Sequence, residues 1–171
     1  PTMAIETGES PVVEKQRLLQ YNLFSSYIEF LITFCNLARG ISKSKDINFL
    51  YPNMENMTNC QTYLEEYDFY SNEERYFRMI RNEYLKIEEF TEIINIMFSK
   101  FYSSDKKFID EYYLSTSDLI TMSNNGMIIG GHTHSHPFLN KITVKKIYQE
   151  IDRNIAFLKE TINKKINSFA Y

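Results

Sequence analysis

The stretch that most constrains the fold is the apolar run MIIGG at 127–131, which lies between two segments with strong helix signals. Before it, STSDLITMSNNG is typical of a short capped helix that ends at Gly126. After it, Thr143 is placed to cap an amphipathic helix, and INSFAY at 166–171 has the composition of a strand. The apolar stripe of that helix comprises Val144, Ile147, Ile151, Leu158 and Ile162. This alternation predicts a buried strand at 127–130 in an α/β barrel or parallel sheet.

The first two thirds of the chain have a different, mainly helical pattern. Ser10 and Pro11 predict the start of a helix that runs to Gly40, and Ser71 with Glu74 forms a capping box for a second helix. One aromatic-rich stripe predicts the buried face of that second helix: Phe77, Ile80, Tyr84, Ile87, Phe90, Ile94, Met97 and Phe101. We therefore expect the start of the α/β framework at 1–40, a helical insertion at 41–110 and the remaining framework at 111–171.

The bulk composition excludes several classes of protein. Hydrophobic residues make up 43% of the 171 residues and the net charge is -3, which is globular composition without the basic footprint of a nucleic-acid-binding protein. The longest apolar stretch, 23–38, is too short and too interrupted for a transmembrane helix. No signal peptide is visible, and two buried thiols at Cys35 and Cys60 in a reducing compartment, such as the cytoplasm, are favoured over a disulfide. The compartment and the oligomeric state stay open.

All three histidines of the chain lie within five positions, at 132, 134 and 136, directly after the glycine pair. The loop after a parallel strand is where such folds keep their functional sites. Three protonated imidazoles there would repel one another, so neutral rings bound to a metal ion explain the cluster best. The sequence therefore predicts a metal site in this loop.

The spacing separates several metal motifs. The HExxH motif needs Glu after the first His, but Thr133 follows His132. The HxHxDH pattern needs an Asp–His pair, which HTHSHPF lacks. An HxH pair of the amidohydrolase or phosphoesterase type fits either His132 with His134 or His134 with His136, but those motifs usually open a domain and their later ligands are absent.

The segment NNGMIIGGHTHSHPFLNKIT closely resembles the second motif of the polysaccharide deacetylase family (NodB homology, carbohydrate esterase family 4). The similarity extends over about residues 112–171 and is most specific at 126–139. The resemblance implies a distorted (β/α) barrel of the polysaccharide deacetylase type, with a large mainly helical insertion. It also implies hydrolysis of a carbohydrate N-acetyl amide, with an N-acetylated carbohydrate as the substrate.

The resemblance assigns roles to individual residues of the loop. His132 and His136 would be the metal ligands, Thr133 would brace the loop by hydrogen bonding, and His134 would occupy a variable position. The cofactor implied is Zn²⁺ or another divalent metal ion, which would polarise the amide carbonyl and activate water.

Two parts of the family pattern are absent from the sequence. No Asp–Asp pair occurs, and no late histidine motif follows the histidine loop, so the catalytic base and acid are not found. Asp105, Asp110 and Asp118 match nothing in the family pattern. We expect a central fragment of a deacetylase, and the alternatives are a degenerate homologue or a non-catalytic, helical interaction domain.

Overall fold

The computed structural model of the chain describes residues 2–42 and 52–170. Its α-helices are α1 (Met3–Thr7), α2 (Val12–Leu18), α3 (Tyr27–Ile41), α4 (Met54–Thr58), α5 (Asn72–Met79), α6 (Ile87–Phe98), α7 (Asp105–Tyr112), α8 (Thr116–Asn124) and α9 (Val144–Ile162). One-turn π-helices follow α2 at Leu19–Leu23 and α5 at Ile80–Tyr84, and a short 3₁₀ turn spans Leu139–Lys141. Among these described residues, no helix is long and apolar enough to cross a membrane.

The chain divides into two compact units, and the boundary falls within α2. One unit is formed by Pro1–Glu14 with Tyr102–Tyr171, and the other by Lys15–Phe101. The division into parts 1–40, 41–110 and 111–171 stays a prediction.

The unit formed by Lys15–Phe101 is helical and has an aromatic core where α3 packs on α5 and α6. Phe34 is fully buried, and its ring lies 4.9 Å from Phe77, 6.0 Å from Phe30 and 6.3 Å from Phe90 between centroids. Most of these ring pairs meet edge to face, which is a favoured aromatic geometry. This packing explains why most of the predicted aromatic stripe is core, although its last residue, Phe101, is 39% exposed.

The capping box at Ser71 and Glu74 forms as predicted, but the helix that it begins is shorter than the stripe. Leu85 and Lys86 are extended, with ψ values of 139° and 157°, so the chain leaves the helical path between α5 and α6. As a result Ile87 is 53% exposed, although the stripe predicts it to be buried. The helix predicted from Ser10 is likewise interrupted, at the extended residues Phe24 and Ser26 after the π-turn, and α3 continues through Gly40 to Ile41.

A single buried arginine holds the loop before α5. The guanidinium of Arg75 donates hydrogen bonds to the carbonyls of Tyr63 (2.7 Å), Leu64, Tyr67 (2.8 Å) and Tyr70 (3.2 Å). Carbonyls of an irregular loop need such partners when they are shielded from water. Arg75 thereby fixes a segment that has no regular secondary structure of its own.

The other unit contains α8 packed on α9, and both helices begin as the sequence predicts. Ser115 and Asp118 form a capping box for α8, and the Thr143 hydroxyl accepts from the amide of Lys146 at the start of α9. The predicted buried strand at 127–130 does not form among the described residues. These residues lie outside any helix or strand, and Ile128 is 87% exposed.

The pairing of the two expected strands is limited to one parallel bridge between Gly131 and Phe169. Gly131 donates to the Ser168 carbonyl and accepts from the Ala170 amide, each at 2.9 Å. A parallel strand needs neighbours and a covering layer on both faces. Within the described residues the 127–131 segment has only this one neighbour, so the described architecture is helical, and the barrel is taken up below as a proposal.

Candidate metal centre

The structure brings His132 and His136 together at the start of the loop after the glycine pair. Their Nε2 atoms lie 3.2 Å apart, and their ring centroids are 4.7 Å apart. His136 has a left-handed backbone, with φ of 55°, which turns its ring towards that of His132. The expectation that the two rings lie close together is therefore met, and their role as metal ligands stays a prediction.

The far nitrogen of each ring is held by an acceptor. Nδ1 of His132 lies 2.9 Å from the carbonyl oxygen of Ala170, and Nδ1 of His136 lies 2.6 Å from Oε1 of Glu14. A carbonyl or carboxylate oxygen accepts, so Nδ1 of each ring donates to it. Nε2 is then the nitrogen with which each ring faces the other, and it is the nitrogen left for a metal ion.

This geometry fits a metal ion of the zinc type. A tetrahedral zinc ion with Zn–N bonds of about 2.0–2.1 Å separates two nitrogen ligands by about 3.3–3.4 Å. The observed 3.2 Å is within 0.2 Å of that separation. Metal-bound histidines also usually donate their other ring N–H to a carboxylate or a backbone carbonyl, as both rings do here.

The two rings do not complete a site. Within residues 2–42 and 52–170 no group of three or more His, Cys, Asp or Glu side chains is placed to hold a metal ion. Glu14 contacts the far side of the His136 ring, so it orients that ring and is not placed as a further donor. A closed tetrahedral site needs about four donors, so the two rings alone do not make a closed metal site.

His134 has a different environment. Its side chain is buried, its Nδ1 lies 3.0 Å from the Thr2 hydroxyl, and its carbonyl accepts from the Met3 amide. Burial, reinforced by the positive charge of Arg153, lowers the pKa of His134 below its ordinary value. A neutral imidazole therefore fastens the start of the chain to the loop, where the sequence predicts only a variable position.

Comparison with known proteins finds a family for part of the chain. The family model described as polysaccharide deacetylase matches residues 96–171, which are called the deacetylase segment below. No curated protein and no solved structure matches the chain.

The deacetylase segment contains a second layer of contacts that the sequence did not reveal. Asn154 and Glu150 lie one turn apart on α9, and both are buried, at 1% and 4% exposure. The Asn154 amide bonds the backbone of His132 and Thr133, and the Glu150 carboxylate bonds Ser135. Of the predicted apolar stripe, Leu158 is buried, but Val144 is 68% exposed, and the polar residues Glu150 and Asn154 complete the buried face. Two polar residues at a spacing of four, on the side of α9 that carries Leu158, are the signal that marks this face.

Thr133 contacts the rest of the deacetylase segment through its main chain. Its carbonyl accepts from Asn154 Nδ2 at 2.9 Å, and its backbone is left-handed, with φ of 67°. Its Oγ1 is buried and has no hydrogen-bond partner within the described part of the chain. The bracing of the loop by hydrogen bonding that the resemblance implies for Thr133 stays a prediction.

The three aspartates considered in the sequence have structural partners. Asp105 accepts from both the amide and the hydroxyl of Ser10, and Asp110 pairs with Lys106 on the surface. Hydrogen bonds from Ser115 lower the pKa of the Asp118 carboxyl. These contacts cap or brace helices in the deacetylase segment and at its start, and they identify no catalytic base.

Proposed function

We propose that the chain carries the metal-binding half of a metal-dependent polysaccharide deacetylase that hydrolyses the N-acetyl amide of a carbohydrate. His132 and His136 are the proposed ligands of a divalent ion, with Zn²⁺ the first choice. The observation that carries the proposal is the 3.2 Å separation of two Nε2 atoms whose Nδ1 atoms are both held by acceptors. Two rings held in this orientation can bind one cation between their Nε2 atoms.

The residues of this chain orient the two ligands. Glu14 and the Ala170 carbonyl fix the direction of the His136 and His132 rings. When bound, an ion there supplies Lewis-acid chemistry at an amide carbonyl. The proton-transfer groups of the reaction are unassigned, since the sequence contains no Asp–Asp pair.

We also propose that residues 127–131 and 166–170 are neighbouring strands of a distorted (β/α) barrel. The parallel bridge at Gly131 and Phe169 supports this, as does the connection through α9, which has the order of a β-α-β unit. The exposure of Ile128 on an apolar segment is expected where further strands or helices would cover a sheet.

The alternative is a non-catalytic interaction domain or a degenerate deacetylase homologue. The absence of a third metal donor among the described residues favours it. The two functions differ in what they predict for metal and sugar binding, so one set of titrations separates them.

The first experiment is a titration of the chain with Zn²⁺, followed by calorimetry. We expect weak binding of one ion, lost in both His132→Ala and His136→Ala and retained in an exposed-residue control, Glu160→Gln. Tight stoichiometric binding that survives His136→Ala would refute the assignment of the ligands.

The second experiment titrates the zinc-loaded chain with a chitin oligosaccharide, followed by NMR. The deacetylase proposal predicts shifts at the loop that depend on His132 and His136, whereas an interaction domain predicts none. We expect no acetate release by these 171 residues, because a missing acid or base typically costs about a hundred- to ten-thousand-fold in rate. Acetate release near the rate of a working deacetylase would mean that the base lies elsewhere in the chain.

A further inference from the structure

We infer that Glu150 and Asn154 of α9 are positioning residues that hold the histidine loop in the conformation in which the two Nε2 atoms face each other. The metal-dependent part of this inference rests on the proposed function. The loop geometry itself does not, because the contacts are present without an ion.

Asn154 uses both ends of its amide on the loop. Its Oδ1 accepts from the His132 amide at 3.0 Å, and its Nδ2 donates to the Thr133 carbonyl at 2.9 Å and to the Thr2 hydroxyl at 3.3 Å. Because Asn154 is only 1% exposed, water cannot replace these hydrogen bonds. Asn154 therefore satisfies the peptide groups on both sides of the first turn of the loop.

That turn needs external support because of its backbone. Thr133 has φ of 67°, and a β-branched residue in the left-handed region is strained. Such a conformation persists only where its surroundings determine it. The two hydrogen bonds from the Asn154 side chain to His132 and Thr133 lie on either side of this backbone turn and hold it in the left-handed conformation.

Glu150 acts in the same way on the second turn. Its Oε2 accepts from the Ser135 amide at 2.6 Å, and its Oε1 accepts from the Ser135 hydroxyl at 2.8 Å. The next residue, His136, is the other left-handed residue of the loop, with φ of 55°. A buried carboxylate that accepts two hydrogen bonds from one residue fixes both the position and the orientation of that residue.

The glycine at 131 makes room for this arrangement. A Cβ added to Gly131 would lie 2.9 Å from Asn154 Oδ1 and 2.8 Å from a ring carbon of Phe169. Asn154 can reach the His132 amide only because residue 131 has no side chain. The glycine, the loop and α9 therefore form one structural unit.

Neither Glu150 nor Asn154 hydrogen-bonds to an imidazole ring. Their hydrogen bonds to the loop go to the main chain and to the Ser135 hydroxyl, so they fix the position of the loop backbone. The contacts to the rings themselves come from Glu14 and the Ala170 carbonyl. This distinguishes a positioning role from a ligand role, and it predicts which substitutions are conservative. Asn154→Asp keeps the acceptor for His132 but loses the donor to Thr133, whereas Glu150→Gln keeps one acceptor and adds a donor.

The test uses Co²⁺ as the probe, because its visible absorption reports the ligand geometry. We expect Asn154→Leu, Asn154→Asp and Glu150→Ala to weaken Co²⁺ binding about 10- to 100-fold and to alter the spectrum, and Glu150→Gln to have a smaller effect. Leu158→Ala is the matched control, because Leu158 is equally buried on the same face of α9. It should lower the melting temperature and leave the affinity and the spectrum unchanged.

A metal-free measurement keeps the inference separate from the proposed function. In the apo protein, NMR contacts between the His132 and His136 rings should be present in the wild type and in Leu158→Ala, and lost in Asn154→Leu and Glu150→Ala. If the wild type binds no Co²⁺ but these contacts change as expected, the metal proposal fails and the positioning role stands. Unchanged ring contacts in Asn154→Leu and Glu150→Ala, or an equal loss in Leu158→Ala, would overturn the inference.

Discussion

Nδ1 of His136 lies 2.6 Å from Oε1 of Glu14, a residue 122 positions earlier in the chain. The contact brings the first turn of α2 to the histidine loop, and it fixes the ring from the side opposite to His132. A carboxylate in this position holds the orientation of the ring.

Substitution of Glu14 should therefore weaken metal binding without removing a ligand. We expect Glu14→Ala to lower Zn²⁺ affinity about 10- to 100-fold, and Glu14→Gln to lower it less, since the amide oxygen still accepts from Nδ1. Calorimetric titration measures both, with the exposed Glu9→Gln as the control. An affinity in Glu14→Ala equal to that of the wild type would mean that the contact has no role in binding.

The features that the sequence predicts correctly are local. The caps at Ser71, Ser115 and Thr143 join residues three positions apart, so their geometry is encoded in a short stretch. The two histidines come together for the same reason. Glu14 and Asn154, at 122 and 22 residues from their loop partners, depend on tertiary packing that one sequence does not encode visibly.

The strand predicted at 127–130 does not form among the described residues for a related reason. An apolar run becomes a strand only when a neighbour pairs with it along its length, and here the pairing is confined to Gly131. The polar face of α9 was missed because an apolar stripe is normally taken as the buried face. Glu150 and Asn154 are buried there because the loop offers their hydrogen bonds.

The contacts of Arg75 predict a large loss of stability on a change that keeps its charge. Arg75→Lys replaces a guanidinium that donates to four carbonyls with an ammonium that has three donors. At least one loop carbonyl is then left without a hydrogen bond. We expect a loss of about 2–4 kcal/mol in the free energy of unfolding, since each unsatisfied buried group costs about 1–3 kcal/mol. Urea unfolding followed by circular dichroism measures it. Arg78→Lys should cost far less, because Arg78 stacks on Tyr70 and a lysine retains the cation–π contact.

The aromatic core predicts a sharp contrast between two phenylalanines of the same unit. Phe34 is fully buried among three rings, whereas Phe69 is 72% exposed. Phe34→Ala should lower the free energy of unfolding by about 3–5 kcal/mol, and Phe69→Ala by less than about 0.5 kcal/mol. Equal effects of the two substitutions in urea unfolding would show that the core does not lie around Phe34.

The two cysteines are free and buried, as the sequence predicts. The burial of Cys35 predicts that the protein loses stability at alkaline pH. Burial raises the pKa of the Cys35 thiol from 9.0 to about 12. The folded state thus keeps the thiol neutral, so this contribution to stability is complete below pH 9 and is lost as the pH rises from 9 towards 12. At pH 10 the loss is on the order of 1 kcal/mol relative to pH 7. Cys35→Ala should make the free energy of unfolding less dependent on pH in this range, and an unchanged slope would contradict the assignment.

Two glycines test whether space at residue 131 matters to the site. In Gly131→Ala the new methyl group meets Asn154 and Phe169, and Asn154, fully enclosed, must give up its bond to the His132 amide. We expect a lower Zn²⁺ affinity and a loss of about 1–3 kcal/mol in stability from overpacking. Gly40→Ala is the matched control, because residue 40 is helical within α3 and an added Cβ would meet nothing within 4 Å. That variant should gain about 0.5–1 kcal/mol and bind Zn²⁺ as the wild type does. If Gly131→Ala binds Zn²⁺ like Gly40→Ala, the close approach of Asn154 is not needed for the metal site.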